Sequence, residues 1–268
     1  MAGRWQDADN VIGDRCSGST HHALMAAPYR RRGDLFTGGA GEWTVKMIDI
    51  SQGWYEGMPS FDAPWYPEFE IRRAMTPQTD LSRPGGRTFS DLSLFPHNGS
   101  HVESGYHFFA DREKIDEVPL ETFVGRTCVA DLSWKGDLDP VTGEDLDKAL
   151  RGSWRPGDRL LIRTDHPKRH LGRADYWDKP PYLTLSAADW IVLSGAVLVG
   201  LDCITERPDD RSGQVHRRLL GAGIPILENI QNLDQVTGPV VQLMALPIKV
   251  SDVEAAPVRA VVFDGPTF

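Results

Sequence analysis

A chain of 268 residues with 38 acidic and 29 basic side chains carries a formal net charge of −9. That length holds one large domain or two small ones, and 40% hydrophobic with 25% charged residues is a globular composition that excludes wholesale disorder. The acidic balance, without a sustained basic block, argues against nucleic acid or an anionic membrane surface as a partner. The longest apolar runs, such as Ala196–Leu201 and Val240–Leu246, are far short of a bilayer span.

Residues 1–44 read as a flexible N-terminal arm: glycine-rich, with a basic triplet Arg30–Arg32, no apolar period and no apolar core of signal-peptide length. His21 and His22 on that arm read as solvated. Cys16, Cys128 and Cys203 are odd in number and widely spaced, which suits a reducing cytoplasm and no disulfide framework. Residues 45–268 read as the functional domain.

Strand-like runs begin at Met47–Ser51 and continue through Phe69–Met75 and Phe89–Phe95, each bounded by Gly, Pro or Asp. Between the first two lies an aromatic, proline-braced loop, Trp54–Tyr66. It reads either as packing against the core or a subunit interface, or as a substrate-covering loop, with Phe61, Trp65 and Tyr66 as substrate contacts and Tyr106 as a further one.

The segment Phe95–Phe109 carries the chemistry. His97, His101, Glu103 and His107 lie at relative positions 0, 4, 6 and 10, so three of the eight histidines and one carboxylate fall within eleven residues. All offsets are even, which puts the four on one side of an extended segment, whereas a helix would split them into two groups. A straight strand would spread them over roughly 30 Å, so Gly99 and Gly105 are read as the places where the chain folds back. Imidazole nitrogens with a carboxylate oxygen suit Zn²⁺, Mn²⁺ or Fe²⁺ better than Ca²⁺ or Mg²⁺. The lack of nearby thiolates favours a catalytic site over a structural one.

Further strands are predicted at Thr127–Leu132, Arg159–Arg163, Val197–Asp202, Ile224–Leu227, Val240–Leu246 and Val258–Phe263; several are continuous aliphatic runs, as in strands buried on both faces. Helices are expected after Thr142, over Ala187–Leu193 with Ser186 as cap, and over Gly213–Leu220. Strands early and strand–helix alternation late give an α/β domain with a mixed sheet. Asp202 at a strand end reads as a loop cap or a residue behind the site rather than a ligand; Asp165, His166 and His170 follow another strand end. Glu228 leaves an apolar run, where a carboxylate needs a partner, and His216 or Asn229 could supply one.

The pattern His97-x-Gly99-Ser100-His101-x-Glu103-x-x-x-His107-Phe108 resembles the signature of the metal-dependent cyclase family, which includes bacterial kynurenine formamidase and isatin hydrolase. It departs in Glu103, where that family usually has aspartate, and in Gly105, where proline is usual. The resemblance runs over roughly residues 46–264, through Met47–Ser51, Leu161–Asp165, Val199–Asp202, His216–Leu220, Ile224–Ile230 and Pro257–Ala260. It implies a swivelling β/β/α fold, a homodimer or homotetramer, and a divalent metal, Zn or Mn, as one or two ions. His97, His101 and Glu103 would hold the principal metal; His107, His216 and Glu228 would be catalytic or hold a second one. The implied activity is opening a C–N bond of an aryl formamide or cyclic amide, on an aromatic or cyclic small molecule. A cyclase, dehydratase or lactone hydrolase, and a non-catalytic metal-containing binding protein, stand as the alternatives.

Overall fold

The structure is a computed structural model that describes residues 45–60, 66–73, 81–82 and 85–265. The N-terminal arm, Cys16, Phe61 and Trp65 lie outside the described residues.

The aliphatic runs become strands because their alternate side chains have separate cores to fill. In β7 (Arg159–Arg163), Leu160 and Ile162 point into one apolar layer and Leu161 into another, all fully buried. Its neighbours β5 (Val124–Asp131) and β9 (Leu198–Leu201) divide in the same way. Gly200 in β9 is a close-approach glycine, since a Cβ there would lie 2.5 Å from Leu161 Cδ2.

Strands β5, β7, β9 and β10 (Ile226–Glu228) are mutually parallel. Antiparallel strands extend both flanks: β11 (Val240–Met244), β13 (Val261–Asp264) and β1 (Lys46–Asp49) beyond β5, and β4 (His101–Glu103) and β12 (Ala255–Pro257) beyond β10. Among the described residues this makes one nine-stranded mixed sheet, the α/β architecture expected. The helices α1 (Gly143–Ala149), α3 (Leu185–Leu193) and α4 (Gln214–Leu220) cover one face through Leu146, Ile191 and Leu219. The opposite face closes over Phe123, Ile115 and Ile230. No helix among the described residues is long and apolar enough to cross a membrane.

The fold corrects several expectations. Of the run predicted as one strand, Val258–Phe263, only Val261–Phe263 lie in a strand, β13. Pro257 ends edge strand β12, where its missing N–H costs no ladder bond. The chain then crosses over, with Val258 N–H donating to Ser100 O and Ala260 N–H to Ser51 Oγ, before β13 starts. The runs predicted as strands at Phe69–Met75 and Phe89–Phe95 hold β2 (Glu70–Arg73) and β3 (Ser90–Ser93), which pair with each other outside the main sheet, as do β6 (Pro140–Val141) and β8 (Tyr182–Leu183). Thr184, not Ser186, caps α3: its Oγ1 accepts the Ala187 N–H, while the Ser186 hydroxyl accepts the Gly143 N–H from α1. Thr142 and Asp145 form a reciprocal capping box on α1. A short helix α2 (His166–His170) was not anticipated; it follows Asp165, which takes a left-handed conformation at φ 59°.

Candidate metal centre

The histidine-rich segment folds back as the sequence requires, through two 3₁₀ turns flanking β4. Pro96–Asn98 carries His97, β4 carries His101 and Glu103, and Gly105–His107 carries His107. The two glycines act by allowing close approach. Gly99 has φ −117°, open to any residue, but a Cβ there would fall 2.4 Å from Trp54 Cε2. At Gly105 it would fall 2.7 Å from Arg112 Cβ. Ser100 locks the turn, donating from Oγ to the Asn229 carbonyl at 2.5 Å and accepting the Gln52 N–H at 2.7 Å.

Strand alternation then aims the donors. Val102 faces the core opposite the helices, so His101 and Glu103 face the helical layer. The antiparallel register sets Glu228 of β10 directly opposite His101. Helix α4 brings His216 onto the same point, placing Nε2 3.1 Å from Glu103 Oε1 and 3.7 Å from Glu228 Oε1. His107 Nε2 lies 3.3 Å from Glu103 Oε2, His97 Nδ1 3.9 Å from the same oxygen, and His101 Nε2 3.7 Å from Glu228 Oε2.

Two donor sets therefore overlap at Glu103: His97, His101 and Glu103, and Glu103, His216 and Glu228, each with ligand atoms within 4.8 Å of one another. A third set, His97, His107 and Glu254, adjoins them. The imidazoles are held from behind. His101 Nδ1 donates to the Gly99 carbonyl at 2.8 Å, His97 Nε2 lies 3.1 Å from Glu254 Oε1, and His216 Nδ1 is bonded to Glu206. The Thr205 hydroxyl donates to Glu228.

What remains open fits a cation. His101 Nε2 and both Glu103 oxygens are fully buried without a hydrogen-bond partner. A buried carboxylate costs several kcal/mol in such a place unless positive charge meets it, whether from the facing imidazoles of His216 and His107 or from a bound cation. Electrostatics reflect the crowding. Burial alone would raise the Glu103 carboxyl, yet the charges of His216, His107 and His97 hold it well below the carboxylate range. Burial and the neighbouring Glu103 push Glu228 up to about 7. Burial, with His97 beside it, takes His101 down to about 3. Nitrogen and oxygen donors of this kind are the set preferred by borderline divalent ions.

A cavity of about 240 Å³ opens onto the centre, lined by Tyr66, Phe95, His97, His107, Trp177, Ile204, Glu206, Arg207, Pro208, Asp210, His216 and Glu228. All six donors predicted from sequence thus converge. Tyr66 lines the cavity, and its hydroxyl donates to the His97 carbonyl. Tyr106 does not line it; the Lys114 ammonium sits 5.3 Å from the centre of its ring. Asp202 and the segment after β7 stand apart: Asp202 accepts from Thr164 N, Thr164 Oγ1 and Asp165 N at 2.7–2.9 Å, and His166 Nε2 lies 2.8 Å from Tyr176 O. Sequence reasoning missed Glu206 and Glu254. Neither belongs to a motif, and Glu254 is 157 residues from the histidine it holds.

The family model for Cyclase matches residues 48–206. The chain is 32% identical over 223 residues to the kynurenine formamidase of Bacillus thuringiensis subsp. konkukian (strain 97-27), a match covering 82% of this chain and 98% of the relative. The kynurenine formamidase of Bacillus anthracis is 30% identical with the same coverage. In three dimensions the chain is similar to an isatin hydrolase bound to the product analogue thioisatinate, with a TM-score of 0.74 and 21% identity over 83% of this chain and 93% of that one. Isatin hydrolase A from Labrenzia aggregata gives 0.72 and 23%, covering 83% and 94%. At these identities the solved structures establish the common fold.

Proposed function

From the chain's membership of the Cyclase family, we propose that it is a metal-dependent amidohydrolase that opens the C–N bond of an aryl formamide. The observation that carries this reading is the convergence of the fully buried Glu103 carboxylate and His101 Nε2 with His97, His216 and Glu228 at the base of a cavity with aromatic walls. The formamide is favoured over a cyclic amide because kynurenine formamidases match at 30–32% identity, whereas the isatin hydrolases share the fold at 21–23%.

His97, His101 and Glu103 would hold the principal divalent cation, and Glu103, His216 and Glu228 a second one that shares Glu103. Such a cation supplies Lewis acidity, which polarises a carbonyl and makes water a nucleophile near neutral pH. The protein's own groups do the rest. Tyr66, Phe95 and Trp177 offer apolar surface to an aryl group and keep bulk water from the scissile bond. His107 lines the cavity, and burial lowers its basicity. Its Nε2 faces Glu103, which leaves Nδ1 to take a proton as water adds to the formyl carbon. The same proton passes to the departing nitrogen as the C–N bond breaks, giving formate and an arylamine. Exposed Leu246, Ile248 and Val250 support the homo-oligomer implied by the resemblance, which sedimentation tests.

The test is turnover of N-formylkynurenine, isatin and a simple lactone by chelator-stripped protein before and after addition of Zn²⁺ or Mn²⁺. Formamide hydrolysis restored by metal, and lost in Glu103→Gln, is the expected result. No metal-dependent turnover of any carbonyl substrate would overturn the proposal.

A further inference from the structure

Helix α4 lacks a cap of its own. Its N-cap position is Gly213, in a left-handed conformation at φ 63° and with no side chain to accept from the first turn. The missing acceptor comes from outside the helix. Glu206, on the loop after β9, is buried, and its Oε1 accepts the His216 backbone N–H at 2.9 Å. Its other oxygen, Oε2, is bonded to Nδ1 of the same residue. One carboxylate thus grips both the main chain and the ring of His216.

We infer that Glu206 is a positioning residue: by holding Nδ1–H it fixes the tautomer and the rotamer of His216, so that the Nε2 lone pair is presented to the set formed with Glu103 and Glu228. This rests on the proposed function, in which that set takes the second cation. The loop is itself anchored, with Ile204 N–H donating to Pro181 O and Leu183 N–H to Thr205 O. Glu206 therefore has a fixed base from which to hold the imidazole. A carboxylate on the far nitrogen of a ligating histidine sets ring orientation and raises ligand basicity, and its loss typically weakens metal binding by about 10–100-fold.

The geometry makes Glu206→Gln a sharp perturbation. A carboxamide has a single acceptor oxygen, so it can satisfy the His216 N–H or the Nδ1–H, not both; its amino group then opposes the other donor or turns the ring to the Nε2–H tautomer. Chelator-stripped full-length protein would be titrated with Mn²⁺, the bound equivalents counted by equilibrium dialysis, and the His216 tautomer read from ¹⁵N imidazole shifts in the metal-free state at a pH alkaline enough to leave the ring neutral. Wild type is expected to bind two equivalents. Glu206→Gln and Glu206→Asp should keep the first with unchanged affinity, bind the second about 10–100-fold more weakly, and show a changed tautomer balance. Circular dichroism and denaturation of each metal-free variant establish that it is folded. Two equivalents bound equally by wild type and variants, with only the metal-free Tm lowered, would reduce Glu206 to a helix cap and overturn the inference. Fewer than two equivalents in wild type would overturn the shared-set reading and the inference with it.

Discussion

Gly99→Ala tests how the motif's glycine builds the centre. At φ −117° alanine is conformationally acceptable, so the cost comes from contact alone. The new Cβ would lie 2.4, 2.5 and 2.9 Å from Cε2, Nε1 and Cδ2 of the Trp54 indole, which also packs edge-on against Phe69. Restoring ordinary contact requires a displacement of about 1 Å, and overpacking on that scale costs about 1–3 kcal/mol. At about 2–4 °C per kcal/mol for a chain of this size, the Tm should fall by about 2–12 °C. The Gly99 carbonyl accepts from His101 Nδ1 and from Asn229 Nδ2, so the same displacement swings the His101 ring and weakens Mn²⁺ binding. The assay is a double-mutant cycle with Trp54→Ala, measured by denaturation and by Mn²⁺ titration. Removing the indole opens the space, so the cycle should show a coupling energy of about 1–3 kcal/mol, with cation affinity partly recovered in the double variant. Strictly additive costs would refute the steric argument.

Asp202→Asn should destabilise the fold by about 2–4 kcal/mol, because the carboxylate serves three buried donors on Thr164 and Asp165 and an amide leaves at least one of them facing an N–H; chemical denaturation measures it, and a change under 1 kcal/mol would contradict the clamp. Stability should also fall in acid through His166, whose basicity burial takes down to about 4. Its depressed value means a contribution fully present above about pH 6.5 that drains as pH falls toward 4, in all about 3 kcal/mol. The slope of unfolding free energy against pH over that window should be shallower in His166→Gln, and identical slopes would refute it.

The donors of the centre were legible because imidazoles are rare and their spacing carries geometry. His101 and Glu103, two apart, share a face of any strand, and the apolar Val102 between them says which face is the deeper core. The strands β7 and β9 were legible for the same reason, as aliphatic runs with no polar face. Their ends and crossings were not. Val258–Phe263 reads as one strand because hydrophobicity does not record a crossing, although Pro257 marks the edge position at which it starts. Thr184 and Ser186 are both competent caps, and only the packing of α1 against α3 decides between them. Glu206 and Glu254 were illegible for a deeper reason. In a chain with 38 acidic residues a carboxylate has no local signature, and its partner is fixed by tertiary approach alone.

That approach follows from where the sheet changes direction. β9 and β10 are parallel, and β4 runs antiparallel beside β10, so the start of β4 meets the carboxyl end of β10; His101 and Glu228 become opposite partners there, and the loop leaving β9 supplies Glu206 to the same place. Glu254, the residue before edge strand β12, meets His97 on the open flank. Four carboxylates, Glu103, Glu206, Glu228 and Glu254, thus meet four imidazoles around one point. With the imidazoles neutral, the four negative charges match two divalent cations. On the proposed reading, the acids that sequence analysis missed help to make the loaded centre electroneutral as well as to hold its histidines.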